Sequence, residues 1–178
     1  MDKIRLLKPT IKYEKDIIKF REELMNANDN DNDSFAGCGG LKRCTTVKEW
    51  LTNLSMRENV ETCPEECVTS NTYIAVRSYD NRIVGIIDLR HHINHPILGL
   101  WGGHIGYSVR PTERGKGYAK EMLRLNLENC RSRNLERVMI TCSNDNIASE
   151  KTILANGGVF EKEINVDGKF IKRYWITL

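Results

Sequence analysis

Near the middle of the chain a strand-like run, Gly103-His-Ile-Gly-Tyr-Ser-Val109, meets Pro111, and a helix begins a few residues later through Arg114-Gly-Lys-Gly117. Pro111 stops the strand, because it has no N–H for a ladder. Over residues 115–132, Ala119, Met122, Leu123, Leu127 and Cys130 share one helical face. Lys116, Lys120, Arg124, Glu128 and Arg131 point elsewhere. The first N–H groups of such a helix have no internal acceptor and lie at the positive end of its dipole. Gly115 and Gly117 carry no side chain, so an anion can approach those amides, and Arg114, Lys116 and Lys120 add positive charge. The junction reads as a phosphate or pyrophosphate cradle. It is not a P-loop, because Tyr118 stands where Ser or Thr would follow. It is not a dinucleotide fingerprint, because Lys120 stands where a third small residue is needed.

The remaining periodicities predict an α/β chain. Residues 3–7 suit a short edge strand, and Tyr13, Ile17, Phe20 and Leu24 mark one stripe of a helix that starts at Pro9-Thr10. The polar run from Asn26 to Ser34 reads as a loop or a disordered segment. Thr46 and Glu49 form a capping box for a helix whose apolar side is Val47, Trp50, Leu51 and Leu54. Tyr73–Val76 and Ile83–Leu89, turning at Asp80-Asn81, read as a β-hairpin, and residues 91–99 as a loop. Arg137–Cys142 reads as a buried strand, Asn146–Ala155 as a short helix, and Val159–Val166 with Phe170–Ile176 as a second hairpin about Asp167-Gly168. With 178 residues and no internal linker, the chain is expected to be one domain. Residues 1–70 supply a strand and helices, and 71–178 the alternating strands and helices that carry the anion cradle.

Charge and cysteine content narrow the function classes. Lys and Arg exceed Asp and Glu by 27 to 24, too even a balance for a dedicated nucleic-acid binder. No apolar run approaches the roughly 20 residues that span a bilayer, so no membrane partner is expected. Charges run through the N-terminus, which predicts no export signal. The six cysteines are then expected as reduced thiols in a cytoplasm. Cys63 and Cys67 have a zinc-compatible spacing, but no second pair completes a finger, so no metal is expected.

Arg114-x-x-Gly117-x-Ala119 resembles the pyrophosphate-binding signature of the GNAT acetyltransferase superfamily, Arg/Gln-x-x-Gly-x-Gly/Ala. The resemblance extends to the preceding strand, Gly106-Tyr-Ser-Val-Arg-Pro111, to the buried strand after the helix, and to the Asn146-led helix before Gly157-Gly158. It covers about residues 71 to 178, and Arg90-His91 with Gly103–Pro111 is similar to a group of bacterial acetyltransferases. It implies a mixed, mostly antiparallel sheet of six or seven strands, splayed in the middle and flanked by helices. It also implies acetyl-CoA as co-substrate. Its pyrophosphate would lie on Arg114, Gly115, Lys116, Gly117, Tyr118 and Ala119, and its pantetheine arm on Ser108, Val109, Asn146 and Ser149. Asn146 read alone is an ordinary helix N-cap. Arg90 and His91 would help shape the acceptor pocket.

The implied reaction is direct transfer of the acetyl group to a primary amine, on a small molecule ahead of a protein. A lysine-like amine has a pKa of about 10.4, so at pH 7 fewer than about 1 in 1000 is neutral, a cost of about 4–5 kcal/mol that a base relieves. Where the family often has Glu, this chain offers His104. The Val109 N–H is the candidate oxyanion donor. The position of the family's usual Tyr acid is Ile153, which cannot donate a proton. Tyr107, Tyr118, Tyr174 and Cys142 stay open as replacements. Without Glu and that Tyr, a non-catalytic CoA-binding sensor on the same fold is the alternative. Dimers are common in the family, and the resemblance admits a homodimer.

Overall fold

The computed structural model describes residues 2–27 and 35–178. The polar run read as a loop lies mostly outside these residues. Its first member, Asn26, is the last residue of the first helix, which the apolar stripe carries to about residue 26. Among the described residues the chain forms β1 (Ile4–Leu7), α1 (Glu14–Asn26), α2 (Val47–Arg57), β2 (Ser70–Arg77), β3 (Ile83–Arg90), β4 (Tyr107–Val109), α3 (Tyr118–Ser132), β5 (Arg137–Ser143), α4 (Ile147–Leu154), β6 (Val159–Val166) and β7 (Lys169–Thr177). The strands make two sheets, ordered β1-β2-β3-β4 and β5-β7-β6, and every pairing is antiparallel. This is the flanked, mostly antiparallel architecture expected, with its break between β4 and β5.

Alternating side chains of β2 and β3 divide the core in two. Ala75, Val84, Ile87 and Leu89 pack with Met122, Leu123 and Leu127 of α3 and with Val138, Ile140 and Cys142 of β5. Ile74, Val76, Ile83 and Ile86 point to the other face, against Ile17, Phe20 and Leu24 of α1 and Trp50 and Leu54 of α2. The capping box forms with a shift. Thr46 Oγ1 accepts from the Glu49 N–H at 3.1 Å, while the Glu49 carboxylate accepts from the Thr45 N–H at 2.8 Å. Asp16 ties α1 to the sheet by accepting from the Ile83 N–H at 2.6 Å and from the fully buried Arg110 guanidinium at 2.8 Å.

The expected strand over 103–109 is only three residues long. The Arg110 N–H bonds Val84 O and the Asp88 N–H bonds Gly106 O, so β4 begins as a regular antiparallel edge. At Gly106 the ladder fails, because its N–H donates to the Asp88 carboxylate at 2.7 Å instead of a β3 carbonyl. Gly103 then takes φ +68°, and the His104 N–H turns away from β3 to Met139 O of β5 at 2.8 Å. Residues 98–102, read partly as loop, coil into one π-helical turn. Their carbonyls are held by Arg173 (Gly99, Leu100), Thr141 (Trp101) and Arg90 (Gly102, with Gly103). The helix expected from residue 115 starts at Tyr118, since Gly117 is left-handed with φ +85°.

Asp88 is the acid that shapes β4, and it is buried and paired with Arg90 at 3.1 Å. Asp88→Ala strands the Gly106 N–H and the Arg90 charge and is expected to cost about 3 kcal/mol. Asp88→Asn keeps an acceptor and is expected to cost less, a ranking that urea unfolding midpoints check.

Candidate active site

The gap between β4 and β5 is a cavity of about 390 Å³. The register explains why β4 serves it. Arg110, Ser108 and Gly106 belong to the bonded pairs with β3, so the main-chain groups of Val109 and Tyr107 turn out into the gap. Both faces of the sheet contribute side chains. Tyr107 and Cys142 face α3 and α4, whereas Ser108 and Thr141 face the opposite way, and all four line the cavity. The cavity therefore passes through the sheet. One end lies at the first turn of α3, beside Arg114, Gly115, Gly117, Tyr118, Ala119 and Lys120; the other is bounded by Ala36, Ile105 and Thr141.

At the first end the α3 amides are presented as the sequence suggested. Gly115 and Gly117 have φ of +74° and +85°, and a β-carbon on Gly115 would meet nothing within 4 Å, so the approach is open. These residues fit a doubly charged diphosphate by donor geometry and dipole. The turn is braced through Glu113, which also borders the cavity. The buried Glu113 accepts from Arg77 at 3.0 Å and Lys116 at 2.9 Å, and lies 3.4 Å from Arg82. Burial favours its neutral form, but those three cations outweigh that and hold the carboxyl below its usual range. Lys116 thus spends its ammonium on the brace and is not in the cavity wall; Lys120, the other lysine the sequence places near the cradle, is. The Tyr118 ring is buried, with its hydroxyl on Asp2 at 3.0 Å, so only its main chain faces the cavity.

Along the wall, Asn146 caps α4 by accepting from the Ser149 N–H at 3.0 Å, and it lines the cavity as well. Thr152 joins Ser149, a residue the i, i+3 repeat would have found. Ser149 Oγ is 2.7 Å from the Tyr107 hydroxyl. Val109 O accepts from Arg114 Nε at 3.3 Å. Ser108 is engaged elsewhere: its hydroxyl donates to Ala36 O at 2.8 Å, and its main chain faces β3. Ala36 reaches this point because Gly37 lies flat on Gly106, where a β-carbon would sit 2.0 Å from Gly106 O.

Three expectations are corrected. His104 is not placed as a base. Its Nδ1 accepts from the Met139 N–H at 2.9 Å, so the proton sits on Nε2 and no lone pair is free. The ring is buried, absent from the cavity wall, and burial with the Arg90 charge lowers its pKa to about 4. Arg90 and His91 do not line the cavity either. Arg90 holds the carbonyls of Gly102 and Gly103, and His91 pairs with Asn71 at 2.9 Å. Of the four replacement acids, Tyr118 is bound to Asp2 and Tyr174 donates to Glu150 at 2.6 Å. Tyr107 and Cys142 remain at the cavity by their side chains. Among the described residues no group of three or more His, Cys, Asp or Glu is assembled that could hold a metal ion, and no helix is long and apolar enough to cross a membrane.

Known proteins match this arrangement. The family model of the acetyltransferase (GNAT) domain matches residues 23–159. Similar solved structures include the microcin C7 self-immunity acetyltransferase MccE in complex with acetyl-CoA and AMP (TM-score 0.67, 18% identity, covering 100% of this chain and 94% of that one). Mycobacterium smegmatis RimJ in complex with CoA-disulfide has a TM-score of 0.67 at 19% identity, over 98% of this chain and 81% of that one. A spermidine N-acetyltransferase chimera of Vibrio cholerae SpeG and hSSAT has a TM-score of 0.62 at 17% identity, over 98% and 95%. At such identities the likeness is one of fold. No protein of curated function matches the chain by sequence.

The His104 clasp has a pH signature. Its folded pKa of about 4 lies below the usual 6.5, so the unfolded chain takes up the proton first and stability falls as pH drops through that window. At pH 5 the loss attributable to this ring is about 2 kcal/mol. His104→Asn keeps an acceptor near the Met139 N–H without titrating, so its melting temperature is expected to fall less than that of the unsubstituted protein between pH 7 and pH 5.

Proposed function

Because the chain belongs to the GNAT acetyltransferase family, we propose that it transfers the acetyl group of acetyl-CoA directly to a primary amine, of a small molecule in preference to a protein. The observation that carries this reading is the cavity itself, which joins the uncapped start of α3 to the opposite face of the sheet through the break between β4 and β5. The α3 amides from Gly115 to Ala119 would hold the diphosphate. The pantetheine arm would lie along the outward main-chain groups of Val109 and Tyr107, extending the sheet as a strand would, with Asn146 and Ser149 on the far wall. The thioester would then reach the end near Ile105 and Gly106, and an amine would enter from the side lined by Ala36 and Thr141. There the outward Val109 or Tyr107 N–H would meet the developing oxyanion.

Relatives support the amine without fixing it. One is named as a spermidine N-acetyltransferase, and another holds acetyl-CoA with AMP. All six cysteines are free thiols, which suits the reducing cytoplasm in which we place the reaction. A second reading, a CoA-binding sensor that does not turn over, is favoured by one feature. The positions expected to move protons are taken, His104 by Met139 and Ile153 by the core.

Acetyl-CoA at 100 times its dissociation constant is expected to stabilise the protein by about 2.7 kcal/mol, read as a rise in melting temperature. Ala119→Glu puts a carboxylate into the cradle at a helix start that tolerates acids, so it should fold and lose that rise. Absence of the rise in the unsubstituted protein would remove both readings. Free-thiol release across a panel of polyamines, aryl-alkylamines and peptides then separates enzyme from sensor, since a sensor releases none.

A further inference from the structure

Ile153, where the family's acid would stand, is fully buried, and it packs so tightly that a β-carbon on Gly158 would sit 2.4 Å from its side chain. A larger hydroxyl-bearing residue has no room there. The cavity wall formed by α4 nevertheless meets a hydroxyl from another element. Tyr107 leaves the first position of β4 toward α4 and ends 2.7 Å from Ser149 Oγ and 3.4 Å from Ser149 O. Ser149 is itself fixed in the first turn of α4, whose N-cap is Asn146. The phenol thus stands at the cavity wall, on the residue whose outward main chain the pantetheine arm would follow.

We propose that Tyr107 is the proton donor to the sulfur that departs when the thioester is cleaved, oriented by Ser149. The proposal rests on the acetyl-transfer reading given above. In the tetrahedral adduct the acceptor nitrogen is bonded to the acetyl carbon and carries a positive charge. When the adduct collapses, the C–S bond breaks and its electron pair goes to sulfur. The Tyr107 proton moves to sulfur and gives the free thiol of CoA. The Ser149 hydroxyl hydrogen-bonds the phenolate until the proton shed by the new amide nitrogen restores it. Atoms and charges balance without any other reactant. Burial pushes the Tyr107 phenol well above its ordinary value, against the pull of Ser149, so the group enters every cycle protonated.

The test does not need the natural acceptor. Bound CoA, with its free thiol, is titrated by its ultraviolet thiolate absorbance. A hydroxyl aimed at sulfur favours the thiolate, so Tyr107→Phe is expected to raise the pKa of the bound thiol by about one unit or more. Ser149→Ala should raise it by less, and covers the case in which Tyr107→Phe does not fold. Tyr174→Phe, whose hydroxyl binds Glu150, should leave it unchanged. With any amine that turns over, Tyr107→Phe should lower kcat about 10²-fold with little change in the KM for acetyl-CoA. An unchanged thiol pKa, or a raised KM at constant kcat, would overturn the proposal and leave Tyr107 as cavity lining. Failure of CoA to bind at all would show first as a missing thermal shift, and would count against the transfer reading itself.

Discussion

The separation of β4 from β5 is the constraint on which the rest depends. Two hydrogen bonds set where it starts: the His104 N–H on Met139 O, and the Met139 N–H on His104 Nδ1. Here one residue acts as a strand on one side and as a side-chain acceptor on the other. Beyond it the strands part, and the main-chain groups of Val109 and Tyr107 face the gap without a neighbouring strand, Val109 O meeting only the Arg114 side chain among the described hydrogen bonds. Unpaired groups of this kind are costly where water is excluded, and they are satisfied when an extended chain with its own amides lies beside them.

Keeping such a break open takes rigid surroundings. Asp88 and Arg90 supply them on the β3 side, one by drawing off the Gly106 N–H and the other by gripping the carbonyls of Gly102 and Gly103. Arg173 and Thr141 do the same from β7 and β5. On the cradle side the brace is electrostatic, with Arg77, Arg82 and Lys116 converging on Glu113 beside the turn. Much of the charge near the cavity is thus spent on holding its shape.

The glycine turn, the α3 stripe, the hairpins and the Asn146 cap were legible because each is a local event. Periodicity, a left-handed glycine or a short polar side chain decides them within a few residues. Asp88 was legible in principle, as a lone acid within the apolar run Ile83–Leu89. The roles of His104, Arg90 and His91 were not, because each depends on a partner brought in from another strand or helix. A histidine next to a bulged strand reads equally as a base or a clasp until the Met139 N–H is known to occupy it. Lys116 illustrates the same ambiguity, since a cation in a phosphate-like turn can also serve a buried carboxylate.

What the amino-acid order determined alone is the anion-receptive start of α3 and the alternation of elements around it, since both follow from backbone freedom and side-chain period. The tertiary structure decided where the strands part, which titratable groups are consumed as supports, and that the Tyr107 phenol of β4 meets Ser149 of α4 while Ile153 is sealed in the core. Those outcomes depend on distances between segments far apart in the chain, and no local pattern encodes them.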